Sequence, residues 1–361
     1  MRALKWLDRW LGRLAAELLP APARQAVNNP ASFLVIRPGG IGDAVLLIPA
    51  LQLLRSRFPQ ARIDILAEKR NGAIFRLCSG INEIFLYDRF GDLLRVFQGR
   101  YDVVIDSEQW HRLSAAVARL TGAAMSVGFA TSDRNRLFTH PQPYSHDDYE
   151  LDSFLSLLSP FGIVAERPSG PFLELPAAAK ARAKDLLGDY YGQRFVVVFP
   201  GASIAERRWG AEKYGDLAAR LQRQGIPVVV IGGPEDRMEA ERIAARATVL
   251  DLTGLTSLVE SAAVIDRAAV LVSGDSGVLH VGVGLAKPSV SLFGPGIAKK
   301  WAPKGNKHVV LDHGLPCSPC TRFGYTPPCP RNMQCIQEIG VVEVERGVQR
   351  LLETGGGLKE V

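Results

Sequence analysis

Long apolar runs are missing from this 361-residue chain. No stretch reaches the ~18–20 unbroken apolar residues that a membrane span requires. Cysteine is scarce: there are five, and four of them crowd into residues 317–335. A secreted disulfide scaffold would spread its cysteines, so that class is excluded. Charge of one sign is nearly absent in excess, since 43 basic and 37 acidic residues leave +6. That permits an anionic substrate or surface but does not require nucleic acid, and no compact reader motif is present. The 35 glycines follow no three-residue period, which excludes a collagen-like chain. What remains is ordinary for a folded protein, with 47% hydrophobic and 22% charged residues. At ~100–200 residues per domain, the length predicts two domains.

Charges at Arg2, Lys5, Asp8, Arg9, Arg13 and Glu17 break up the first twenty residues, unlike a secretory signal, so the sequence predicts a cytoplasmic protein. Leu4, Leu7, Leu11, Leu14 and Leu18 recur at spacings of three and four, which places them on one helical face beside Trp6 and Trp10. Two readings stay open. The stripe packs on the domain body, or the helix lies in the headgroup plane of an anionic inner membrane surface as a peripheral anchor.

The rest of the chain alternates short apolar strands with helical periods. FLVIR (33–37), RIDILA (62–67), EIFLYD (83–88) and YDVVID (101–106) read as strands. So do FVVVFP (195–200), VVVIGG (228–233), TVLDLTG (248–254), AVLVSGDSG (269–277) and PSVSLFG (288–294). This is an α/β grammar of doubly wound parallel sheets, and the near-continuous apolar strands suit sheets covered on both faces. The predicted organisation is an amphipathic helix and linker (1–30), a Rossmann-like domain (31–175), a second Rossmann-like domain (185–335) and a C-terminal helix and tail (336–361). A cleft is expected between the two domains.

Candidate chemistry falls in the loops after strands. Gly39, Gly40 and Gly42 allow a tight turn, but R-P-G-G-I-G-D misses G-x-G-x-x-G and no P-loop Lys-Ser/Thr follows. Asp43 either caps the helix or is a carboxylate able to take a proton from a hydroxyl. In the second half Ser203 is a candidate donor to phosphate. Arg207, in preference to Arg208, is the candidate to neutralise phosphoryl oxygens. Glu235 follows a strand and either accepts from ribose hydroxyls or caps a helix. Gly274-Asp275-Ser276-Gly277 joins a strand to a helix start, so the amides of Ser276, Gly277 and Val278 would face a diphosphate. Asp275 would orient a polar partner. His280 is a buried histidine or an imidazole facing anion or sugar.

RPGGIGDAVLLIPAL, PGAS…RRW, DLTG, SGDSGVLH and the LFGP loop, in this order and spacing, resemble bacterial glycosyltransferases of family nine, the lipopolysaccharide heptosyltransferases and their relatives. The resemblance covers residues 31–350. It implies a GT-B fold, with two Rossmann-like domains facing across a cleft, the first binding the acceptor and the second the nucleotide-sugar. It implies an inverting transfer from an ADP-sugar, such as ADP-heptose, to a lipopolysaccharide core or other lipid-linked glycan. The general base falls on Asp43 and the basic phosphate contact on Arg207, where familiar members carry lysine. The ribose-contacting acid falls near Glu235, the diphosphate loop on Asp275 to Val278, and the nearby histidine on His280. On the acceptor side, Ser107-Glu108-Gln109-Trp110-His111 departs from familiar members. No catalytic cofactor, no obligatory Mg²⁺ and no nucleic-acid partner are expected. A nucleotide-sugar epimerase and a non-catalytic GT-B binding protein are the alternatives.

Cys317-x2-Cys320-x8-Cys329-x5-Cys335 is the densest signal outside the glycine loops. Four sulfurs at this spacing suit a structural Zn²⁺ or a single iron. Reduced packing cysteines and one or two disulfides are the other readings. The segment is expected to pin the chain before a last helix, at roughly 339–352, that packs back toward the first domain.

Overall fold

The computed structural model describes residues 8–23, 27–322 and 325–354. Leu4, Trp6, Leu7 and the charges at Arg2 and Lys5 therefore lie outside the described residues. The chain divides into two compact units, Met1–Ser169 and Gly170–Val361.

The first unit holds a parallel sheet of β1 (Ser32–Arg37), β2 (Arg62–Ala67), β3 (Glu83–Leu86), β4 (Val103–Asp106), β5 (Met125–Phe129) and β6 (His140–Gln142), in the order β3-β2-β1-β4-β5-β6. The second holds β7 (Val196–Phe199), β8 (Val228–Val230), β9 (Leu250–Asp251), β10 (Val270–Gly274), β11 (Ser289–Leu292) and β12 (His308–Leu311), in the order β12-β11-β10-β7-β8-β9. Read from its other edge, the second order is the same as the first. β1 and β7 are central, which is why their apolar runs are uninterrupted: β1 is buried from Phe33 to Arg37, and Val196–Val198 are each fully buried.

Helices cover both sheets. Ile41–Arg57 follows β1 and buries Val45, Leu46, Leu47, Ile48 and Leu51. Arg112–Leu120 presents Ala115 and Ala118 to Leu34, Ile36 and Val104. In the second unit Trp209, Tyr214, Leu217 and Leu221 join the strand valines in one core cluster. The last helix, Val341–Thr354, buries Val344, Val348, Leu351 and Leu352 in that same cluster, so it belongs to the second unit's own core.

Candidate functional site

In a parallel α/β sheet the ligand crevice lies outside the carboxyl ends of the strands, where strand order reverses. That boundary falls between β1 and β4 in the first unit and between β7 and β10 in the second.

β1 ends at Arg37. Gly39, at φ +107°, turns the chain into the Ile41–Arg57 helix, a conformation that a side chain would strain. Asp43 sits half-buried in that helix's first turn. Arg37, 1% exposed, reaches across to the end of β4. Its Nη1 donates to Ser107 O at 2.7 Å, its Nη2 to Glu108 Oε2 at 2.8 Å, and both to Gln109 Oε1 at 3.2 Å. Below it, Arg134 Nη2 pairs with Asp106 Oδ2 at 2.5 Å, and both side chains are wholly buried. Glu150 accepts from Gln109 and, at 2.8 Å, from the Tyr144 hydroxyl.

Burial, then the Glu150 charge, pushes the Tyr144 phenol far up, and Asp43 adds to that shift, which sets Asp43 within electrostatic reach of the network. Burial also pushes Glu108 up, but Arg37, His111 and Arg134 outweigh it and hold the carboxyl below its usual range. Ser107, Glu108 and Gln109 are thus buried and hydrogen-bonded to Arg37 at the end of β1. Trp110 is exposed, and His111 Nδ1 lies 3.3 Å from Asp8 Oδ2. Sequence reasoning missed the roles of Arg37, Asp106, Arg134, Tyr144 and Glu150 because partners up to 72 positions apart leave no periodic signal.

In the second unit, β7 leads into the short turn Ala205–Arg207. Arg208 is tied to Glu239 and donates to Ala202 O, which leaves Arg207 to face the end of β10. There Arg207 Nη1 lies 3.1 Å from Asp275 Oδ2. The approach is close because Gly274 has no side chain: a Cβ there would stand 3.1 Å from Arg207 O. A Cβ on Gly296 would stand 2.1 Å from Asp275 Oδ2, so the loop after β11 also closes on this carboxylate.

Ser276 is the N-cap of the Gly277–Gly284 helix and accepts from Leu279 N at 3.4 Å. A helix start carries amides without intrahelical partners, here those of Gly277 and Val278. His280, fully buried one turn on, is held neutral: burial pushes it down to about 4, Asp275 pulls it back up and Arg207 adds to the drop. Asp275 Oδ2, Arg207 Nε and His280 Nδ1 are buried and form no hydrogen bond among the described residues. Such atoms clustered at one place suit a polar ligand.

Ser203 is exposed at the entrance to the turn. Glu235 is exposed too, whereas its neighbour Asp236 is buried and accepts from Gly233 N at 3.1 Å. The structure therefore brings Arg207, Asp275, Ser276, Gly277, Val278 and His280 together, with Glu235 and Ser203 on the outer surface of the same unit.

Cys317, Cys320, Cys329 and Cys335 line one pocket of about 60 Å³ with Glu206, Pro295 and three further prolines. All are free thiols. Burial pushes the Cys320 and Cys335 thiols up, and neighbouring cysteines add to it. Among the described residues, no group of three or more His, Cys, Asp or Glu side chains stands in a metal-holding arrangement. The four cysteines thus share one pocket, and nothing among the described residues supports the expected Zn²⁺ or iron there. The pairing into disulfides is not present either.

The sequence model of glycosyltransferase family 9 (heptosyltransferase) matches residues 92–327. The chain belongs to glycosyltransferase family 9. Within that family it is 26% identical over 291 residues to lipopolysaccharide heptosyltransferase 3 of Escherichia coli, covering 74% of this chain and 85% of that protein. A family 9 glycosyltransferase from Veillonella parvula superimposes with a TM-score of 0.78 at 21% identity, over 91% of this chain and 99% of that one. The E. coli ADP-heptose lipopolysaccharide heptosyltransferase II gives 0.73 at 24%, over 90% and 100%. The fold is accordingly the GT-B fold of family 9, built from two Rossmann-like units, and the chain is a glycosyltransferase.

Proposed function

We propose that the protein transfers heptose from ADP-heptose to a hydroxyl of a lipopolysaccharide core acceptor. The observation that carries this reading is the group of unsatisfied polar atoms on Arg207, Asp275 and His280 at the start of the Gly277–Gly284 helix. A diphosphate supplies acceptors for Arg207 and for the helix amides. Asp275 holds the guanidinium in place. Neutral His280 donates or accepts one hydrogen bond without adding charge. Glu235 takes the ribose hydroxyls, and Ser203 hydrogen-bonds the outer phosphate.

In the reaction the acceptor hydroxyl oxygen attacks the anomeric carbon, and the bond from that carbon to the diphosphate breaks with inversion. ADP leaves with the electron pair, and Asp43 receives the hydroxyl proton. Arg207 and the Gly277 and Val278 amides stabilise charge growing on the leaving diphosphate, where preorganised donors act most strongly. The reaction belongs at the cytoplasmic face, where nucleotide-sugars are made.

Purified protein mixed with ADP-heptose and heptose-deficient core lipopolysaccharide tests the reading. ADP release that requires the acceptor supports it. Release with a UDP-hexose but not ADP-heptose, or conversion of the donor sugar without acceptor, overturns it.

A further inference from the structure

The N-terminal helix docks the opposite way from a leucine-stripe helix. It runs through Asp8–Gly12 and Arg13–Leu18, outside the residues matched by the family model. Its inward face is small and polar, at Asp8, Gly12 and Ala16. Asp8 Oδ1 accepts from Leu113 N at 2.8 Å, and Ala16 is 2% exposed in the core cluster. Gly12 is pressed so closely to the Arg112–Leu120 helix that a Cβ there would stand 3.0 Å from Arg112 Cβ. Arg119 Nε donates to Pro20 O at 2.9 Å and tethers the far end. The large apolar side chains point the other way: Trp10 is 58% exposed, Leu11 51%, Leu14 49% and Leu18 77%.

A second helix of the same layer does likewise. Phe90–Gln98 buries only Val96, which shares a core cluster with Ala16. Its Phe90, Leu94 and Phe97, at spacings of four and three, are exposed. Leu120, at the end of the third helix of that layer, is exposed as well. Arginines outnumber carboxylates around these side chains, with Arg95 paired to Glu83 and Arg112 to Asp133. Over residues 10–20, 89–100 and 112–120 there are six arginines (Arg13, Arg89, Arg95, Arg100, Arg112 and Arg119) and two carboxylates, Glu17 and Asp92. Glu17 is already paired with Arg13.

We propose that this helical layer of the first unit is a docking face for the anionic surface of a lipid bilayer. Exposed Trp, Phe and Leu on helices that lie flat suit the boundary between headgroups and acyl chains, and arginines suit the phosphates above it. A second copy of this chain would bring arginine against arginine. No helix among the described residues is long and apolar enough to cross a membrane, so the association is of the surface kind. The proposal does not depend on which sugar the enzyme moves.

The test is co-sedimentation of the full chain with vesicles of phosphatidylcholine alone or with a quarter phosphatidylglycerol, free of lipopolysaccharide, at 0.1 and 0.5 M NaCl. Wild type should bind the anionic vesicles at least tenfold better than the neutral ones, and lose most of that binding at 0.5 M salt. Leu14→Asp/Leu18→Asp and Phe90→Asp/Phe97→Asp should each lower binding about tenfold while ADP affinity, read by calorimetry, stays at the wild-type value. An unchanged circular dichroism spectrum and thermal unfolding profile show that the variants fold, and retained ADP affinity reports on the donor site separately from the vesicles. Equal sedimentation of wild type and both variants overturns the proposal. So does a concentration-dependent dimer that the variants abolish without any vesicle binding by wild type, because a second copy then covers the face.

Discussion

Arg207 Nη1 stands 3.1 Å from Asp275 Oδ2, yet that oxygen and Arg207 Nε form no hydrogen bond among the described residues. Arg37 and Glu108 span the equivalent strand boundary in the first unit, and there every guanidinium nitrogen is engaged. One pair is closed and holds the frame; the other is open to a ligand. Arg207→Gln should therefore lower kcat by ~10²–10³, the range for removing a preorganised donor to developing charge. Asp275→Asn, which keeps the shape but removes the charge that positions the arginine, should lower it by about tenfold, the effect of losing one close, partly buried ion-pair contact. Steady-state kinetics with saturating acceptor decide. Full activity in Arg207→Gln would remove this residue from the donor site.

Asp43 is assigned the proton of the acceptor hydroxyl. Asp43→Asn should depress turnover by ~10²–10⁴ and leave the affinity for ADP unchanged. Calorimetry with ADP beside a turnover assay separates the two quantities. Near-normal turnover would end the assignment.

Asp106 and Arg134 form an ion pair with both side chains wholly buried. Removing one partner strands a buried charge, so Asp106→Ala should lose about 3–5 kcal/mol of stability. Asp106→Leu combined with Arg134→Met removes both charges and should recover most of that loss. Urea unfolding of the three proteins checks the order, and a double variant no better than the single would contradict it.

His280 is held neutral with a pKa of about 4. Its unfolded value is ~6.5, so between the two the unfolded chain binds more protons than the folded one. Stability is complete above pH 6.5 and declines as the pH falls toward 4, by an amount on the order of 3 kcal/mol from this group. His308, also lowered to about 4 by burial, acts in the same direction. Unfolding free energies of wild type and His280→Gln at pH 7, 5.5 and 4.5 should converge as the pH drops. Parallel curves would show that His280 titrates alike in both states.

The central strands were legible because burial on both faces writes itself as unbroken Val, Ile and Leu, as in Val196–Phe199 and Val270–Gly274. The edge strands His140–Gln142 and His308–Leu311 were not, being three and four residues long with no fully buried position. Met125–Phe129 carries Gly128, which is there because the Phe138 ring occupies the place of its side chain, a cause invisible in the local pattern. The Phe90–Gln98 helix was missed as well, its apolar residues pointing outward. Strand-to-helix glycine turns revealed Asp43 and the Asp275–Val278 loop. They could not reveal Arg37 and Glu108, which meet only once β1 and β4 lie side by side. The leucine periodicity of the N-terminal segment announced a helix but not which face would be covered, since that was decided by the fit of Gly12 and Ala16 to a neighbour distant in sequence.

Both sheets are parallel throughout, and in each the first strand made is the middle one. β1 cannot be flanked on both sides until β4 has been synthesised, and β7 waits in the same way for β10. Pairings of such long sequence separation form slowly. The two halves also mature at different moments as the chain grows from its N-terminus. The first has all its strands by Gln142, whereas the second still needs Val341–Thr354 to cover β10 and β11. The second half therefore spends most of its synthesis with an uncovered apolar sheet, and that nascent half is where a chaperone would have the most to hold.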